Sequence, residues 1–551
     1  MFLSKQISSL HKVRELDALT MNEINKETVL RGERFTYQIS MRTDAPFVGN
    51  IYVDSPLIDH IKLYKVEQSA MDAPTTDKVQ EIGYITTKPG LMPDLLLPIE
   101  SGDYLTVTVT GKSVWIEVNI PSDMPAGEYK INFTYHKFDF TNPDAGCDKV
   151  VDKTMTIEVL PLTKKEQSLI YTRWFYADCI ADYHNVPIYS DEHFELIEAY
   201  IKEAVDVGIN MILVPIHTPP LDTAIGTRRP CVQLVDIKKV GDEYIFGFDK
   251  LRRFIDICKR AGVKYYEMAH MFSQWGARCA ANIMVEENGV KDYMFGWHVS
   301  STSPEYIDFL RQYISALSGE LEELGVAENT YYHISDEPTI DKIDAYRTAV
   351  ETIRPFIGNS RTFDALSNKE FYEQGLVECP VTAVSHIHEF LPLKAPNQWT
   401  YYCCEPQTTY TNSLMAMPSY RTRILGILLY KYDIKGFLHW GFNFYNAVVS
   451  YYKINPYVTT SADGRLPSGD PFIVYPAKNG AYPSIRGKVT YEAIGDMDLC
   501  RTLEEHIGRE AVIKMIDEIA GMDVRFDSYP LGSDYLPTLR AAMIEKIKEF
   551  I

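Results

Sequence analysis

The chain has 551 residues, of which 46% are hydrophobic and 24% charged, so we expect a folded protein with more than one domain. Its formal charge is −20 and no lysine- or arginine-rich run stands out, which argues against nucleic acid and anionic membranes as partners. No stretch approaches the length of a transmembrane helix and the start does not resemble a signal peptide, so we expect a cytoplasmic protein.

The first 160 residues predict a domain built from β-strands. Short runs rich in alternating, β-branched or aromatic residues recur, and turn-forming segments such as SGD and PSDMPAG separate them. Long helical patterns are missing from this part, which favours an antiparallel β-sandwich. The runs are RFTYQISMRT, YLTVTVTG, SVWIEVNIP, GEYKINFTY and KTMTIEVLPL.

From about residue 170, strand-like and helix-like segments alternate. Eight strand-like segments can be counted, which is the number that closes a (β/α)₈ barrel. Glycine follows several helical segments, in DVGIN, RAGVK and ELGVA, as expected where a helix stops. The strand-like segments are LIYTRWFYA, INMILVPIH, VKYYEMAHMF, TYYHISDEP, SRTFDALS, VTAVSHIHEF, QWTYYCC and IKGFLHWGFNF.

These patterns predict a multidomain fold that combines all-β and α/β parts. We expect a β-sandwich over residues 1–165, a (β/α)₈ catalytic barrel over 166–505, and C-terminal helices over 506–551 that pack on the barrel. The nine cysteines are scattered without the spacing of a metal finger. We therefore expect free thiols in a reducing compartment, with no metal or other cofactor.

Histidines end several predicted strands, and the chemistry of such barrels lies at the C-terminal ends of the strands. Each one alone is more typical of a hydrogen-bonded interior residue, but together they favour a polar bowl. His386 and His388 would share one strand face, as metal ligands often do, yet without a third ligand a barrel-lining pair is favoured. The histidines are His217, His270, His333, His386, His388 and His439.

The segment YYHISDEP, residues 331–338, places Asp336 directly beside Glu337. Neighbours on a regular strand face opposite sides, but Pro338 ends the ladder and lets the backbone turn both acids into the bowl. Two carboxyl groups near one centre suit glycoside cleavage, where one donates a proton and the other stabilises positive charge. A helix start with Asp336 as N-cap explains the same segment equally well.

From YTRWFYADCIADY to YPSIRG the chain resembles the domain-of-unknown-function 4091 group, whose characterised relatives are glycoside hydrolase family 123. The resemblance spans nearly all of the predicted barrel, and a preceding β-sandwich is also the family's arrangement. It implies a retaining, exo-acting β-N-acetylgalactosaminidase with Asp336 and Glu337 as the catalytic pair. The matching segments are PIHTPPLDT, HMFSQWGA, FGWH, HISDEP, DALS, WTYYCC, GFLHWGFNFY and GDPFIVYPAKNGAYPSIR.

The resemblance further implies substrate-assisted catalysis on a glycan or glycoconjugate. The acetamido oxygen of the substrate attacks C1 and forms an oxazolinium ion, so no enzymic nucleophile is required. Asp336 would orient the acetamide N–H, and Glu337 would protonate the leaving oxygen and then deprotonate water. Tyr401 or Tyr402, at the end of the seventh strand, could steady the acetamide oxygen.

Other polar and aromatic side chains near the predicted strand ends are candidates for binding the sugar, although most could equally be structural. Trp440 is favoured as the floor of the bowl. Two alternatives stay open: a double-displacement β-glycosidase with Glu337 as acid/base and Glu405 as nucleophile, or a non-catalytic carbohydrate-binding protein. The candidates are His270, Gln274, Trp275, Trp297, His298, His333, His439, Trp440 and Asn443.

Overall fold

Two β-sheets form the N-terminal part of the protein, whose computed structural model describes residues 2–14, 21–76, 83–138 and 147–551. The strands are β1 (Phe2–Ser8), β2 (Lys26–Arg31), β3 (Arg34–Thr43), β4 (Phe47–Asp54), β5 (Ile61–Met71), β6 (Gly90–Ile99), β7 (Tyr104–Val107), β8 (Lys112–Asn119), β9 (Gly127–Phe138) and β10 (Cys147–Thr163). One sheet has the order β1-β3-β8-β5-β6 and the other β2-β10-β9-β4-β7, all antiparallel except β2 with β10.

The core of this sandwich follows from the alternation seen in the sequence. Tyr37, Ile39 and Met41 on β3 are spaced two residues apart and are fully buried, as are Ile131 and Phe133 on β9. Successive side chains of a strand point to opposite faces, so this spacing places one apolar row from each strand in the shared core. The predicted sandwich is confirmed.

The later part of the chain adds fourteen more strands in the described residues. They are β11 (Ile170–Arg173), β12 (Met211–Val214), β13 (Asp236–Val240), β14 (Glu243–Gly247), β15 (Tyr265–Met268), β16 (Ile283–Glu287), β17 (Val290–Phe295), β18 (Thr330–His333), β19 (Arg361–Leu366), β20 (Cys379–Ala383), β21 (Trp399–Tyr401), β22 (Gly436–His439), β23 (Val474–Ala477) and β24 (Gly480–Pro483). Eight of them, β11-β12-β15-β18-β19-β20-β21-β22, close a parallel barrel, which confirms the predicted (β/α)₈ fold. A separate sheet of order β14-β13-β16-β17, absent from the sequence prediction, is built in the connections that follow β12 and β15.

Helices connect the barrel strands and form the C-terminal extension. They are α1 (Ala177–His184), α2 (Asp191–Asp206), α3 (Asp249–Ala261), α4 (Pro304–Glu323), α5 (Ile343–Ile353), α6 (Glu370–Glu373), α7 (Ile387–Phe390), α8 (Ser419–Lys431), α9 (Ile485–Ile507), α10 (Arg509–Ala520) and α11 (Tyr535–Lys548). Ser190 and Ser303 cap the starts of α2 and α4 by accepting backbone N–H groups. The predicted glycine stops are confirmed, since Gly208, Gly262 and Gly325 all have the left-handed backbone that ends a helix.

The sixth barrel strand is shorter than predicted, and this corrects the interpretation of two histidines. Strand β20 ends at Ala383, so His386 and His388 do not lie on a strand. His386 precedes α7, and His388 belongs to α7 with its side chain 71% exposed. The prediction that both face the barrel interior is wrong, because a turn at 384–386 replaces the strand alternation on which it depended.

The described chain divides into two compact units. The first comprises residues 1–168, 408–431 and 482–551, and it holds the sandwich strands with α8 to α11. The second comprises residues 169–407 and 432–481, and it holds the barrel strands. The domain bounds predicted from the sequence stay a prediction. No helix in the described part of the chain has the length and apolar character needed to cross a bilayer.

Candidate active site

The two adjacent acids lie just past the end of β18, on backbone that is held from both sides. The Trp275 N–H donates to the Asp336 carbonyl oxygen at 2.9 Å, and the Glu337 N–H donates to the Ala365 carbonyl oxygen at 3.1 Å. Glu337 has φ +43°, a left-handed conformation that is uncommon outside glycine. This turn breaks the alternation of a strand, so the two neighbours are not forced to opposite faces.

The structure does not use Asp336 to begin a helix. The first helical turn after it is a 3₁₀ turn over Ile340–Lys342, whose N-cap position is Thr339. Asp336 lies three residues earlier and accepts its side-chain hydrogen bond from Gln274. Of the two interpretations left open by the sequence, the helix cap is therefore excluded by this geometry.

Asp336 is buried, with 5% of its surface exposed. Gln274 Nε2 donates to its Oδ2 at 2.9 Å. Burial raises the pKa of Asp336 well above its ordinary value, and the neighbouring Glu337 raises it further, because a second negative charge in the same place is unfavourable. The pair therefore retains a proton at a pH where an isolated aspartate would be ionised.

Glu337 is half-buried and is held by a tyrosine from the seventh strand. The Tyr401 hydroxyl donates to Glu337 Oε1 at 2.5 Å. Burial first and Glu337 second raise the pKa of Tyr401 well above its ordinary value, which keeps this hydroxyl a donor. One oxygen of Glu337 is thus an acceptor, and the other can carry or receive a proton.

A third carboxylate, Asp222, stands beside this pair. Its backbone N–H donates to Gln274 Oε1 at 2.7 Å, so one glutamine amide bridges Asp222 and Asp336. The Tyr176 hydroxyl donates to Asp222 Oδ2 at 2.8 Å. Burial raises the pKa of Asp222 to about 6, and the charge of Glu337 adds to the increase.

Side chains that follow β22 supply a further aromatic and acidic group. Trp440 is half-buried, its indole Nε1 donates to Asp470 Oδ2 at 3.0 Å, and its ring lies 6.5 Å from that of Tyr176, edge to face. His439 is fully buried, with Nε2 3.4 Å from Asp470 Oδ1. The Asn443 side-chain amide bonds the N–H and carbonyl oxygen of Tyr176 at 2.9 and 3.1 Å, so Asn443 positions that residue.

Beneath the acids, His333 lies between two carboxylates. Its Nε2 is 2.6 Å from Glu267 Oε1 and its Nδ1 is 2.9 Å from Asp364 Oδ1, and all three side chains are fully buried. An ionised carboxylate can only accept, so this geometry favours a ring protonated on both nitrogens. Burial alone would lower the pKa of His333, but Glu267 and Asp364 outweigh it and raise the pKa to about 9.

His270 lies against His333, with ring centroids 3.8 Å apart and planes inclined by 12°. Ligand-type atoms of His270, His333 and Asp364 lie within 4.8 Å of one another. The lone pairs of two stacked rings point in parallel directions, so they cannot both point at one ion between the rings. Both His333 nitrogens also face carboxylates already, so the cluster does not favour a shared metal. The absence of a cofactor stays a prediction.

The remaining predicted sugar-binding residues are not all brought together. Trp275 is 47% exposed and adjoins the acids through its backbone. Tyr402 is fully buried with its ring 5.6 Å from that of His439, inside the barrel wall. Trp297 donates its indole N–H to the Thr227 carbonyl oxygen at 2.9 Å, and His298 is exposed. Among the described residues neither is bonded to the acid pair, and their contact with a sugar stays a prediction.

Two other expectations change with the structure. His217, His270, His333 and His439 are fully buried, so the strand-end histidines fill the barrel interior rather than line an open bowl. Glu405 is exposed, and its two oxygens accept from the side-chain and backbone N–H groups of Gln407 at 3.0 and 3.1 Å. That arrangement does not favour Glu405 as a nucleophile facing Glu337.

Sequence reasoning missed three acids of this site, namely Asp222, Glu267 and Asp364, and left Asp470 open between a site residue and a turn residue. A signal was present for two of them: Glu267 and Asp364 interrupt strand-like apolar runs, YYEM and TFDAL, where a charge requires a buried partner. Asp222 and Asp470 lie in loops, and their turn-like surroundings carried no comparable signal.

Comparison with known proteins found one family model and several solved structures that match the chain. A family model described as glycoside hydrolase 123, catalytic domain, matches residues 174–503, which is more than half of the chain. Among solved structures, a family 123 glycoside hydrolase from Clostridium perfringens, reported in work on glycolipid glycan hydrolysis, is 17% identical with a TM-score of 0.73. That alignment covers 100% of this chain and 98% of the other, which shows a shared fold.

Two further solved structures align with much lower scores. A family 5 mannosidase from Rhizomucor miehei is 12% identical over 67% of this chain and 97% of its own, with a TM-score of 0.32. A β-glucuronidase from Bifidobacterium dentium is 8% identical over 89% of this chain and 66% of its own, also with a TM-score of 0.32. No curated protein sequence matched the chain.

Proposed function

Because the chain belongs to glycoside hydrolase family 123, we propose that it releases β-linked N-acetylhexosamine, of the N-acetylgalactosamine type, from the end of a glycan. The observation that carries the proposal is the pair Asp336 and Glu337, each held by a different partner. Gln274 binds Asp336 and Tyr401 binds Glu337, so the two acids have separate surroundings and can take separate roles. The glycolipid glycans named for the Clostridium perfringens relative make glycolipids a reasonable first substrate class.

In the first step the acetamido oxygen of the substrate forms a bond to C1 while the bond from C1 to the leaving oxygen breaks. Glu337 transfers its proton to that leaving oxygen. Asp336 accepts a hydrogen bond from the acetamide N–H and offsets the positive charge of the oxazolinium ion. Tyr401 keeps one oxygen of Glu337 in place while the other oxygen gives up its proton.

In the second step water attacks C1 and the bond to the acetamido oxygen breaks, so the sugar is released with its original configuration. Glu337, now ionised, takes the proton of the attacking water. The pair then carries the same number of protons as at the start. Burial first and the charge of Glu337 second raise the pKa of Asp336, so the pair holds one proton between its two acids. The cycle requires that proton to be on Glu337 when the substrate binds.

The test is a panel of 4-nitrophenyl β-glycosides with and without a 2-acetamido group. We expect release of 4-nitrophenol only from the acetamido forms, because the attack on C1 requires the acetamido oxygen. A preference for plain β-galactoside or β-glucoside would contradict the proposal. Covalent labelling of the protein by a 2-fluoro sugar would contradict it as well, since that probe requires an enzymic nucleophile.

Variants of the two acids separate their roles. Glu337→Gln should lower kcat by at least about 100-fold on an oligosaccharide substrate, whose leaving alkoxide must be protonated, since that is the usual scale of acid–base catalysis. The loss should be smaller on the 4-nitrophenyl substrate, whose phenolate leaves without a proton. Asp336→Asn should lower kcat on both substrates alike, because it acts on the acetamide. The matched control Asp463→Asn changes an exposed acid of the same unit and should leave kcat unchanged.

A further inference from the structure

Asp222 is a carboxylate beside the acid pair that the mechanism above does not use. Its backbone N–H and the Asp336 carboxylate share one partner, the side-chain amide of Gln274. The charge of Asp222 also contributes to the raised pKa of Asp336. A third acid this close to the catalytic pair makes ionisation of the acids less favourable. Acids placed together at such a cost are typical of a functional site.

The structure holds Asp222 in one conformation and leaves one of its oxygens available. The Ser450 hydroxyl donates to the Asp222 carbonyl oxygen at 2.6 Å, and the Ala224 N–H donates to the Val449 carbonyl oxygen at 2.9 Å. Tyr176 occupies Oδ2, while Oδ1 has no hydrogen bond within the described part of the chain, and the residue is half-buried. A fixed carboxylate oxygen with free acceptor capacity is suited to a ligand hydroxyl.

We propose that Asp222 determines specificity by accepting a hydrogen bond from the 3- or 4-hydroxyl of the sugar. The inference rests on the proposed function, in which Asp336 binds the acetamide at C2. Gln274 holds the Asp222 backbone beside the Asp336 carboxylate, and the Asp222 and Glu337 charges act on one another. Asp222 therefore lies near the acid pair, where hydroxyls next to the C2 substituent would be found. The 6-hydroxyl projects from the ring oxygen's side and lies further from C2.

The same contact defines a substrate class. A carboxylate accepts from a neutral hydroxyl but repels a sulfate or phosphate ester at that position, and the ionised acid of the catalytic pair adds to the negative charge nearby. The site should therefore accept sugars that are unsubstituted at the hydroxyl read by Asp222. Sugars carrying an anionic ester there should be rejected.

The experiment compares kcat/KM for 4-nitrophenyl 2-acetamido glycosides lacking the 3-, 4- or 6-hydroxyl in the wild type and in Asp222→Gly. Glycine suits this position because Asp222 has φ +47°, a left-handed backbone that glycine adopts without strain. On the parent substrate the variant should lose about 10- to 100-fold, as expected for a hydrogen bond to a charged group. On the 3- or 4-deoxy substrate the variant and the wild type should be equal, and on the 6-deoxy substrate the full loss should return.

A matched control is available on the loop after β22. Asp463 also has a left-handed backbone and also accepts from a tyrosine, Tyr452, but it is exposed. Asp463→Gly should leave kcat/KM unchanged for every substrate. Asp222→Asn, which conserves the shape but removes the charge, guards against misfolding of the glycine variant and should cleave a 3- or 4-O-sulfated sugar better than the wild type does.

Three results would overturn the assignment of Asp222 while leaving the proposed function intact. These are an equal loss of kcat/KM on all deoxy substrates, a coupling to the 6-hydroxyl alone, and no loss of kcat/KM in the variant. Efficient wild-type cleavage of both the 3- and the 4-O-sulfated sugar would overturn it too. If the wild type cleaves no acetamido glycoside, the proposed function and this assignment fall together.

Discussion

At the scale of single residues, the two catalytic acids differ in burial and in their hydrogen-bond partners. Asp336 is buried and bridged to Asp222 through Gln274, whereas Glu337 is more exposed and bound by Tyr401. Two residues that are adjacent in the sequence thus have different surroundings in the structure. This difference allows one acid to act on the acetamide and the other on the leaving oxygen.

Asp336 should make the folded protein less stable at neutral pH than an asparagine would. Folding raises the pKa of Asp336, so above the ordinary pKa of an aspartate this group ionises in the unfolded chain but stays protonated in the folded one. Ionisation then stabilises the unfolded state relative to the folded state. Asp336→Asn should therefore raise Tm at pH 7, and the gain should shrink toward pH 3, where Asp336 is mostly protonated in both states. Urea unfolding at the two pH values checks this, and a pH-independent difference would contradict it.

Tyr401→Phe removes the hydroxyl that binds Glu337. We expect kcat to fall by about 10- to 100-fold, because a hydrogen bond to a charged group is lost in the step where Glu337 moves its proton. Tyr457→Phe is the matched control, since that hydroxyl in the same unit donates to the Pro476 carbonyl oxygen instead. Equal kcat values for the two variants would show that Tyr401 does not act on Glu337.

At the scale of elements, three barrel strands are joined by one buried cluster. Glu267 on β15, His333 on β18 and Asp364 on β19 form a chain of charge-assisted hydrogen bonds, to which Tyr346 of α5 adds a bond to Asp364. His333 lies three residues before Asp336, so the cluster fixes the end of β18, from which the catalytic segment starts. Strand-end positions in this barrel therefore serve to position the acids.

The cluster predicts a specific pH dependence of stability. The folded pKa of His333 is about 9, above its ordinary 6.5, so its contribution is complete below pH 6.5 and is lost as pH rises through 9. His333→Leu leaves Glu267 and Asp364 without their shared cation and should cost about 3–5 kcal/mol at neutral pH. The difference in unfolding free energy from wild type, measured with denaturant, should narrow toward pH 9.5, and a difference that stays constant from pH 7 to 9.5 would contradict the assignment.

At the scale of the whole molecule, the first compact unit is assembled from distant parts of the chain. Residues 1–168 are grouped with 408–431 and 482–551. Trp115 of β8 packs with Ile485 and Val489 of α9 in one apolar cluster. In the same unit the buried carboxylates of Asp94 and Glu117 lie 3.0 Å from Arg486 and from Lys488, respectively.

A fragment of residues 1–165 should therefore fail to form a stable domain by itself. Without α9 it would lose Arg486 as the partner of the buried Asp94 carboxylate and leave Trp115 without Ile485 and Val489, and a buried charge that loses its partner is strongly destabilising. Circular dichroism and denaturant unfolding of the fragment are the measurements, with the full chain as control. A cooperative transition at the stability of the full chain would contradict this and support the domain bounds predicted from the sequence.

The sequence alone determined the order and type of most elements. Alternating apolar residues in the first part, eight apolar runs with helical segments between them, and glycines after the helices are local signals, and local signals are set by backbone and side-chain preferences that act within a few residues. The acid pair was also visible, because two adjacent carboxylates before a proline are conspicuous in any context.

Only the tertiary structure decided which residues meet around that pair. Gln274, Asp222 and Tyr401 reach the acids from other strand ends, up to 115 residues away in the chain for Asp222 with Glu337 (337 − 222). No local preference encodes such a meeting, since it depends on barrel closure and on the left-handed turn at Glu337. The same reason explains the error at His386, where a turn of the backbone carried the side chain away from the face that alternation predicted.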